Sequence, residues 1–397
     1  MNTSPLRVLC LDIEGGYGGS SRSLFETIRC LPHDKVLPEV WCRKTGPIQN
    51  QYQMIGVPVL VKPAMPAASA VARTSRNLIV FLQLAYQFLM SKSFRRDLVK
   101  AVNQRFDIVH FNIEPFWFLA LWLRKKTDKP FTMHIRTRLV NTPFSRLQAR
   151  AIASAINHLI FITENEQAWF EKLAGQKKSG SVIFNTVSPD IVKAEPLPKI
   201  LAHTSFKVAS LSNFDVLRGT DLLVPLAQAF RIQNRTDVVF VMAGNMKLPR
   251  SLPGDLGSIG AVGGTFKDYV KKCGLEKMFL FLGHVAFPER VIASCDALIK
   301  PTREGNPWGR DILEGLAAGK PVISVGKYNN FVEDGVTGIL QDVFDAPDLA
   351  RRIIQLIDDK NFAKNLGSAG RKRVLELCDG NARGNDLLLV WQDTIQK

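Results

Sequence analysis

No apolar run in this sequence reaches the roughly 20 residues that a bilayer span requires, and the opening MNTSPLRVLCLDIEGG contains no long apolar stretch of the kind that heads a secretory leader. Neither a membrane-spanning protein nor a secreted precursor is expected. Cysteine is sparse: Cys10, Cys30, Cys42, Cys273, Cys295 and Cys378 are scattered, with no C-x-x-C among them. That usage argues against a structural zinc site or a disulfide framework and suits a reducing cytoplasm. Several catalytic signatures are also missing. There is no G-x-S-x-G elbow, no P-loop ending in G-K-[ST], and no D-x-D-like acidic metal site, so hydrolase chemistry of the elbow kind and P-loop nucleotide binding are unsupported.

What the chain does carry is positive charge and many short apolar runs. The net charge is +16, with 25 basic against 13 acidic residues up to position 190 and 27 against 23 beyond it. Between Arg73 and Arg150 there are 15 basic and 4 acidic side chains. Such a block favours an anionic partner: a membrane surface, a nucleic acid or a phosphorylated substrate. With 46% apolar and 22% charged residues the chain is globular, and its 397 residues suit two domains.

Twelve runs read as strands: 7–12, 57–61, 106–111, 131–135, 158–163, 181–184, 206–211, 238–244, 279–283, 297–301, 321–325 and 338–340. They are β-branched and do not alternate, as parallel strands buried on both faces do. Helical patterns between them predict an α/β fold of two doubly wound parallel sheets. The Pro-containing stretch 188–205 is the expected hinge, giving an N-terminal domain over 1–190, a second over 191–380, and a final helix over 381–397 that packs back on the first. Residues 78–90 (LIVFLQLAYQFLM) and 116–123 (FWFLALWL) read as buried helices. A sharper reading lays them near lipid, with Arg95, Arg96, Arg124, Lys125 and Lys126 facing head groups.

Open parallel sheets bind ligands at the carboxyl ends of their strands. The first strand runs into EGGYGGSSRSLFETI (14–28), where glycines 15, 16, 18 and 19 precede a helix start. That lets a backbone approach a ligand at the positive end of the helix, although such turns often serve the turn alone. His110, His134 and Arg136 end strand runs, where a histidine is more often structural than catalytic. Arg218-Gly219 before a helix can hold a phosphate. Glu304 and Glu314 flank the stretch GNPWGR at the start of a further helix. A carboxylate suits vicinal hydroxyls and a helix N-terminus suits phosphate, so the pair fits a molecule carrying both.

Taken in order, the segments are GGSSRSLFETI, FDIVHF, FTMHIRT, FITENEQAWF and VIFNTVSPD, then RG (218–219), AGN (243–245), GHV (283–285), KPTREG, WGRDILEGLAAGKPVI and DGVTGILQD (334–342). That ordered set resembles glycosyltransferase family 4, the retaining glycosyl transferases of group 1, over almost the whole chain. The resemblance implies a GT-B fold: two Rossmann-like domains facing a central cleft, acceptor on the first and nucleotide-sugar on the second. It implies Glu314 on the ribose hydroxyls, Glu304 on the donor sugar, and Arg218 on the diphosphate. It further implies His134 near the transferred sugar as a catalytic residue with Arg218 and Glu304. Gly18, Gly19, Gly244, Asn245, Pro307, Trp308, Gly309 and Arg310 complete the implied donor site, with Arg136 and His110 on the acceptor side.

Two departures stand out. The glutamates are ten positions apart where the family has eight, so Arg303 or Asn306 could share the contacts of Glu304. Asn213 stands where the family often has an arginine, which shifts the diphosphate's weight toward Arg218, Lys300 or Arg310. The implied enzyme is a retaining, metal-independent transferase with no cofactor. Its expected partners are a nucleotide-sugar, a lipid-linked or saccharide acceptor, and an anionic membrane surface on the cytoplasmic side. Nucleic acid is not expected, because aromatic residues are not interleaved with the basic block as stacking platforms. A non-catalytic nucleotide-sugar-binding protein and a nucleotide-sugar epimerase are the alternatives.

Overall fold

The computed structural model describes residues 4–13, 18–67 and 78–396. Two compact units divide the chain: residues 1–186 with 378–397, and residues 187–377. The first holds a parallel sheet of β1 (Leu6–Leu11), β2 (Val36–Cys42), β3 (Val59–Val61), β4 (Ile108–Phe111), β5 (Phe131–Ile135), β6 (His158–Phe161) and β7 (Gly180–Val182). Its spatial order is β3-β2-β1-β4-β5-β6-β7. Alternation sorts the side chains to two cores, as a pleat requires. Leu9, Leu11, Val109 and Phe111 enter one cluster, while Val8, Cys10 and Ile108 enter the other. The second cluster also takes Leu387 and Trp391 from the C-terminal helix Gly380–Gln396. That helix approaches closely because Gly384 has no Cβ; one would stand 2.5 Å from the carbonyl oxygen of Cys30.

The second unit repeats the plan with β8 (Phe206–Leu211), β9 (Val238–Ala243), β10 (Phe279–Gly283), β11 (Ala297–Lys300), β12 (Val322–Val325) and β13 (Gly338–Gln341), in the order β10-β9-β8-β11-β12-β13. In each sheet the order reverses beside the first strand, between β1 and β4 and between β8 and β11. At that switch point adjacent connections leave toward opposite faces and open a crevice.

Every strand expected from the sequence is present, and β2 is a strand that the pattern did not reveal. Among the described residues no helix is long and apolar enough to cross a membrane. The helix Leu78–Met90 is not buried as read: Ile79, Leu82, Tyr86, Leu89 and Met90 are all exposed, each by 57–66%. The helix Trp117–Arg124 does bury Leu119, Ala120 and Leu123.

Candidate active site

At the switch point of the second unit, the loop after β8 and the loop after β11 are stitched together. Gly219 has φ +74°, and a Cβ there would lie 1.8 Å from the carbonyl oxygen of Pro301, so this approach requires glycine. The Arg303 backbone N–H donates to the Leu217 carbonyl at 2.9 Å, and the Thr302 hydroxyl oxygen lies 3.2 Å from the same carbonyl. The Arg303 guanidinium donates to both oxygens of Asp221, at 2.6 and 2.7 Å, and to the Val216 carbonyl at 2.7 Å. Arg303 is therefore a strut of the loop, not the sugar contact that the lengthened spacing suggested. Arg218, two residues beyond the last of these bonds, is exposed, and no side-chain partner holds it among the described residues.

The two additional residues between the glutamates are taken up in a closed turn. Asn306 Nδ2 donates to Glu304 Oε2 at 2.9 Å, the Thr302 hydroxyl donates to Asn306 Oδ1 at 2.6 Å, and the Glu304 N–H donates to Thr302 Oγ1 at 3.1 Å. Pro307 and Trp308 turn inward, and the indole packs edge-on against Tyr328 at 4.9 Å. The Trp308 side chain is thus a support of the loop, and its backbone N–H donates to the Asn306 carbonyl at 2.7 Å. Lys300, which could have met a diphosphate, is buried and donates to the Trp308 carbonyl at 2.6 Å.

Gly309, at φ +122°, starts the helix Arg310–Ala317 without a side-chain cap. One turn in, Glu314 is 4% exposed, and its Oε1 accepts from Arg310 Nε at 3.0 Å and Nη2 at 2.8 Å. A buried carboxylate and uncapped helix-start amides thus sit within one turn of each other, beside the Arg218 loop. Gly244 follows β9 with backbone only 2.3 Å from where its Cβ would be, at the Ser212 carbonyl. Asn213 uses its Oδ1 to accept the Asn245 N–H at 2.8 Å, while Asn245 Oδ1 caps the Lys247 N–H at 3.0 Å. Both asparagines shape the turn.

In the first unit Gly15 and Gly16 lie outside the described residues. Gly18 and Gly19 open the helix Gly19–Arg29, and a Cβ on either would meet open space, so the fold does not itself demand glycine there. Arg136 is clamped: Nε donates to the Asn112 carbonyl at 2.9 Å, Nη2 to Asn112 Oδ1 at 2.8 Å, and Nη1 to Asn185 Oδ1 at 2.8 Å. Its backbone N–H donates to Glu114 Oε2 at 3.1 Å, and Asn112 Nδ2 donates to Asp12 Oδ1 at 2.8 Å. Burial raises the carboxyl groups of Asp12 and Glu114 above their usual range, against the pull of these donors. Asp12, Asn112, Glu114 and Asn185 were missed in the sequence. Asp12 and Asn112 directly follow β1 and β4 and Glu114 comes two residues after Asn112, the one signal that could have found them.

His110 is corrected from the acceptor side to the interior. It is fully buried, bonded to Thr132 and His134, and burial reinforced by Arg136 brings its imidazole down to about 3. His134 is held well below the ordinary value by burial, then by Arg136 and His110. Among the described residues no group of three or more His, Cys, Asp or Glu side chains is gathered as for a metal ion.

The model of glycosyltransferase family 4 matches residues 17–191, and that of glycosyl transferases group 1 matches residues 195–373. N-acetyl-alpha-D-glucosaminyl L-malate synthase of Bacillus anthracis is 32% identical over 114 residues, covering 28% of this chain and 30% of that protein. Poly(ribitol-phosphate) alpha-N-acetylglucosaminyltransferase of Staphylococcus aureus is 26% identical over 120 residues, covering 28% of this chain and 24% of that protein. The alignments span between 24% and 40% of the curated relatives' length. A crystal structure of Anabaena HepE with UDP and glucose superposes with a TM-score of 0.75 at 19% identity, covering 98% of this chain and 99% of that one. The fold is GT-B, and the two matched stretches leave out little but the termini and residues 192–194. The chain belongs to the glycosyltransferases of family 4 and group 1.

Proposed function

We propose that the chain transfers a sugar, with retention and without a metal ion, from a nucleotide-sugar on the second unit to a saccharide or lipid-linked acceptor of the cell envelope on the first. The observation that carries the donor half is the grouping around one switch point of buried Glu314, the uncapped helix start at Gly309 and exposed Arg218, which has no side-chain partner among the described residues. Glu314 accepts the ribose hydroxyls, the amides at Gly309 and Arg310 meet the diphosphate, and Arg218 balances the charge that grows on it. Glu304, set by Asn306, faces the donor sugar. The bond from the anomeric carbon to the diphosphate breaks as the acceptor oxygen adds on the same face, and the departing phosphate oxygen takes the acceptor proton. Both relatives described above carry alpha-linked N-acetylglucosamine in their names, which supports retention from an alpha-linked donor.

Calorimetry with UDP, GDP, ADP and dTDP, without added metal, tests the donor site. One nucleotide is expected to bind and to be weakened by Glu314→Gln. No binding by any of the four overturns the reading, and an inverted product overturns retention.

The acceptor half is supported by the helix Leu78–Met90, whose outward face carries Ile79, Leu82, Tyr86 and Leu89 at three- and four-residue spacing. Lys92, Arg96 and Lys100 are exposed on the helix that follows, as are Lys125 and Lys126. An apolar stripe beside basic residues suits an anionic membrane surface. Arg95 and Arg124 do not share in this. Arg95 lies over the Phe88 and Trp122 rings at 4.4 and 4.9 Å, and Arg124 lies over Phe131 at 4.0 Å. Flotation with vesicles containing phosphatidylglycerol at low salt is expected to carry the protein upward, and Leu82→Glu/Tyr86→Glu to abolish this. A wild-type protein that stays below refutes the membrane reading.

A further inference from the structure

A line of hydrogen bonds runs from the C-terminal helix to His134. His110 Nδ1 meets Thr132 Oγ1 at 2.9 Å and the Trp391 indole Nε1 at 3.5 Å, while His110 Nε2 meets His134 Nδ1 at 2.9 Å. Trp391, His110 and Thr132 are 0% exposed, so bulk water does not reach these partners. Burial, reinforced by Arg136, keeps both imidazoles neutral, and each ring therefore carries one proton.

The indole decides where those protons sit. An indole N–H donates and never accepts, while a hydroxyl does either. His110 Nδ1 is the acceptor of the Trp391 N–H among the described residues. With a proton on that nitrogen, the indole hydrogen and the Thr132 hydroxyl hydrogen would both be buried without an acceptor, an arrangement that folded interiors avoid. With Nδ1 bare, its one lone pair faces both donors, the Thr132 hydroxyl at 2.9 Å and the longer indole contact at 3.5 Å. The proton of His110 then sits on Nε2 and is donated to His134 Nδ1, which must be bare in turn. The proton of His134 is left on Nε2.

We infer that Trp391, Thr132 and His110 are positioning residues that lock His134 into its Nε2–H tautomer, so that it offers a hydrogen bond to a substrate oxygen and does not act as a base. The substrate half of this statement rests on the proposed function; the tautomer does not. The test is therefore made on the full chain without ligand, by long-range nitrogen–proton correlation of protein labelled with 15N-histidine, the six histidines being assigned by substitution. A pyrrole-type Nε2 on His134 and a pyridine-type Nδ1 on His110 are expected. The reverse pattern in the wild type overturns the relay outright, whatever the nucleotide experiments give. In Trp391→Phe the loss of the indole donor is expected to produce a second set of signals in which both protons have moved to Nδ1. An unchanged spectrum from a folded Trp391→Phe overturns the indole's part. Should that variant not fold, Thr132→Val leaves the indole as the one remaining donor to His110 Nδ1 and is expected to keep the wild-type pattern; both protons moving to Nδ1 in that variant would overturn the indole's part.

Discussion

The Glu314–Arg310 pair gives the sharpest test of the donor site, because one carboxylate is asked to serve both the fold and the ligand. The two side chains are 5% and 12% exposed, and both guanidinium bonds end on Oε1. Removing one partner of a buried pair costs roughly 3–5 kcal/mol, so alanine would confuse lost binding with lost folding. Glutamine keeps an acceptor for Arg310. Hydrogen bonds to charged groups contribute about 1.5–3 kcal/mol against about 0.5–1.5 for neutral ones, so each bond weakens by about 1 kcal/mol. Two ribose hydroxyls bonded to this carboxylate would therefore lose about 2 kcal/mol in Glu314→Gln, roughly a thirtyfold rise in Kd. The double variant Glu314→Gln/Arg310→Met separates the two roles. It removes the pair without burying a lone charge, so its thermal stability is expected to recover toward wild type while nucleotide affinity stays low. Calorimetry and thermal melts on the same samples decide the matter. A folded Glu314→Gln with wild-type affinity refutes the ribose assignment, and affinity restored in the double variant would show that the loss had been structural.

Arg218→Ala removes an exposed charge, so its melting temperature should stay close to wild type while kcat falls by roughly 10²–10³; an undiminished kcat would remove Arg218 from the transition state. Gly219→Ala places a Cβ against the Pro301 carbonyl at φ +74°; a left-handed backbone costs about 1–2 kcal/mol before the clash is counted, and both the urea midpoint and nucleotide affinity should drop. The two buried histidines should also cost stability on mild acidification. His110 and His134 stay neutral when folded but gain a proton in the unfolded chain below the ordinary 6.5, so the unfolded state binds more protons. Each contributes a loss of about 1.4 kcal/mol per pH unit below that point, until the native form itself titrates. Asp12 and Glu114, whose folded values are raised, work in the opposite sense: they favour the native state in acid and lose that contribution as pH rises through their folded values. Urea melts at pH 7 and 5 should therefore show that His134→Gln loses less stability on acidification than the wild type does.

Most of the scaffold was legible because buried parallel strands advertise themselves as unbroken apolar runs, and those runs account for twelve of the thirteen strands. The missing one, β2, reads VLPEVWC. Proline argues against a strand inside a sheet, and glutamate against a buried one. Both are accommodated by their neighbours in the fold. Pro38 pairs opposite Val8, and Glu39 accepts from the Trp41 indole at 2.7 Å and also pairs with Arg105. The exposed face of Leu78–Met90 was hidden for the converse reason. A helix apolar on all sides reads as buried, whatever lies outside it.

The donor-side motifs were legible for a different reason: chain order fixes which residues stand at strand ends, and topology brings the ends of β8 and β11 together. What order does not fix is which charges spend themselves on one another. Five basic residues were credible phosphate or sugar ligands by position. Arg303 proves to be committed to Asp221, 82 positions away, Lys300 to the Trp308 carbonyl, Arg310 to Glu314, and Arg136 to Asn112 and Asn185. Arg218 is the one of the five without such a side-chain partner among the described residues, and this singles it out more firmly than the motif did. The same reasoning runs in reverse for His134. Its tautomer depends on an indole 281 positions from His110, carried by a helix whose pattern marks Trp391 as one more core residue. A proton's location is a property of the whole hydrogen-bond chain, and none of its links is visible until the C-terminal helix is seated against β4 and β5.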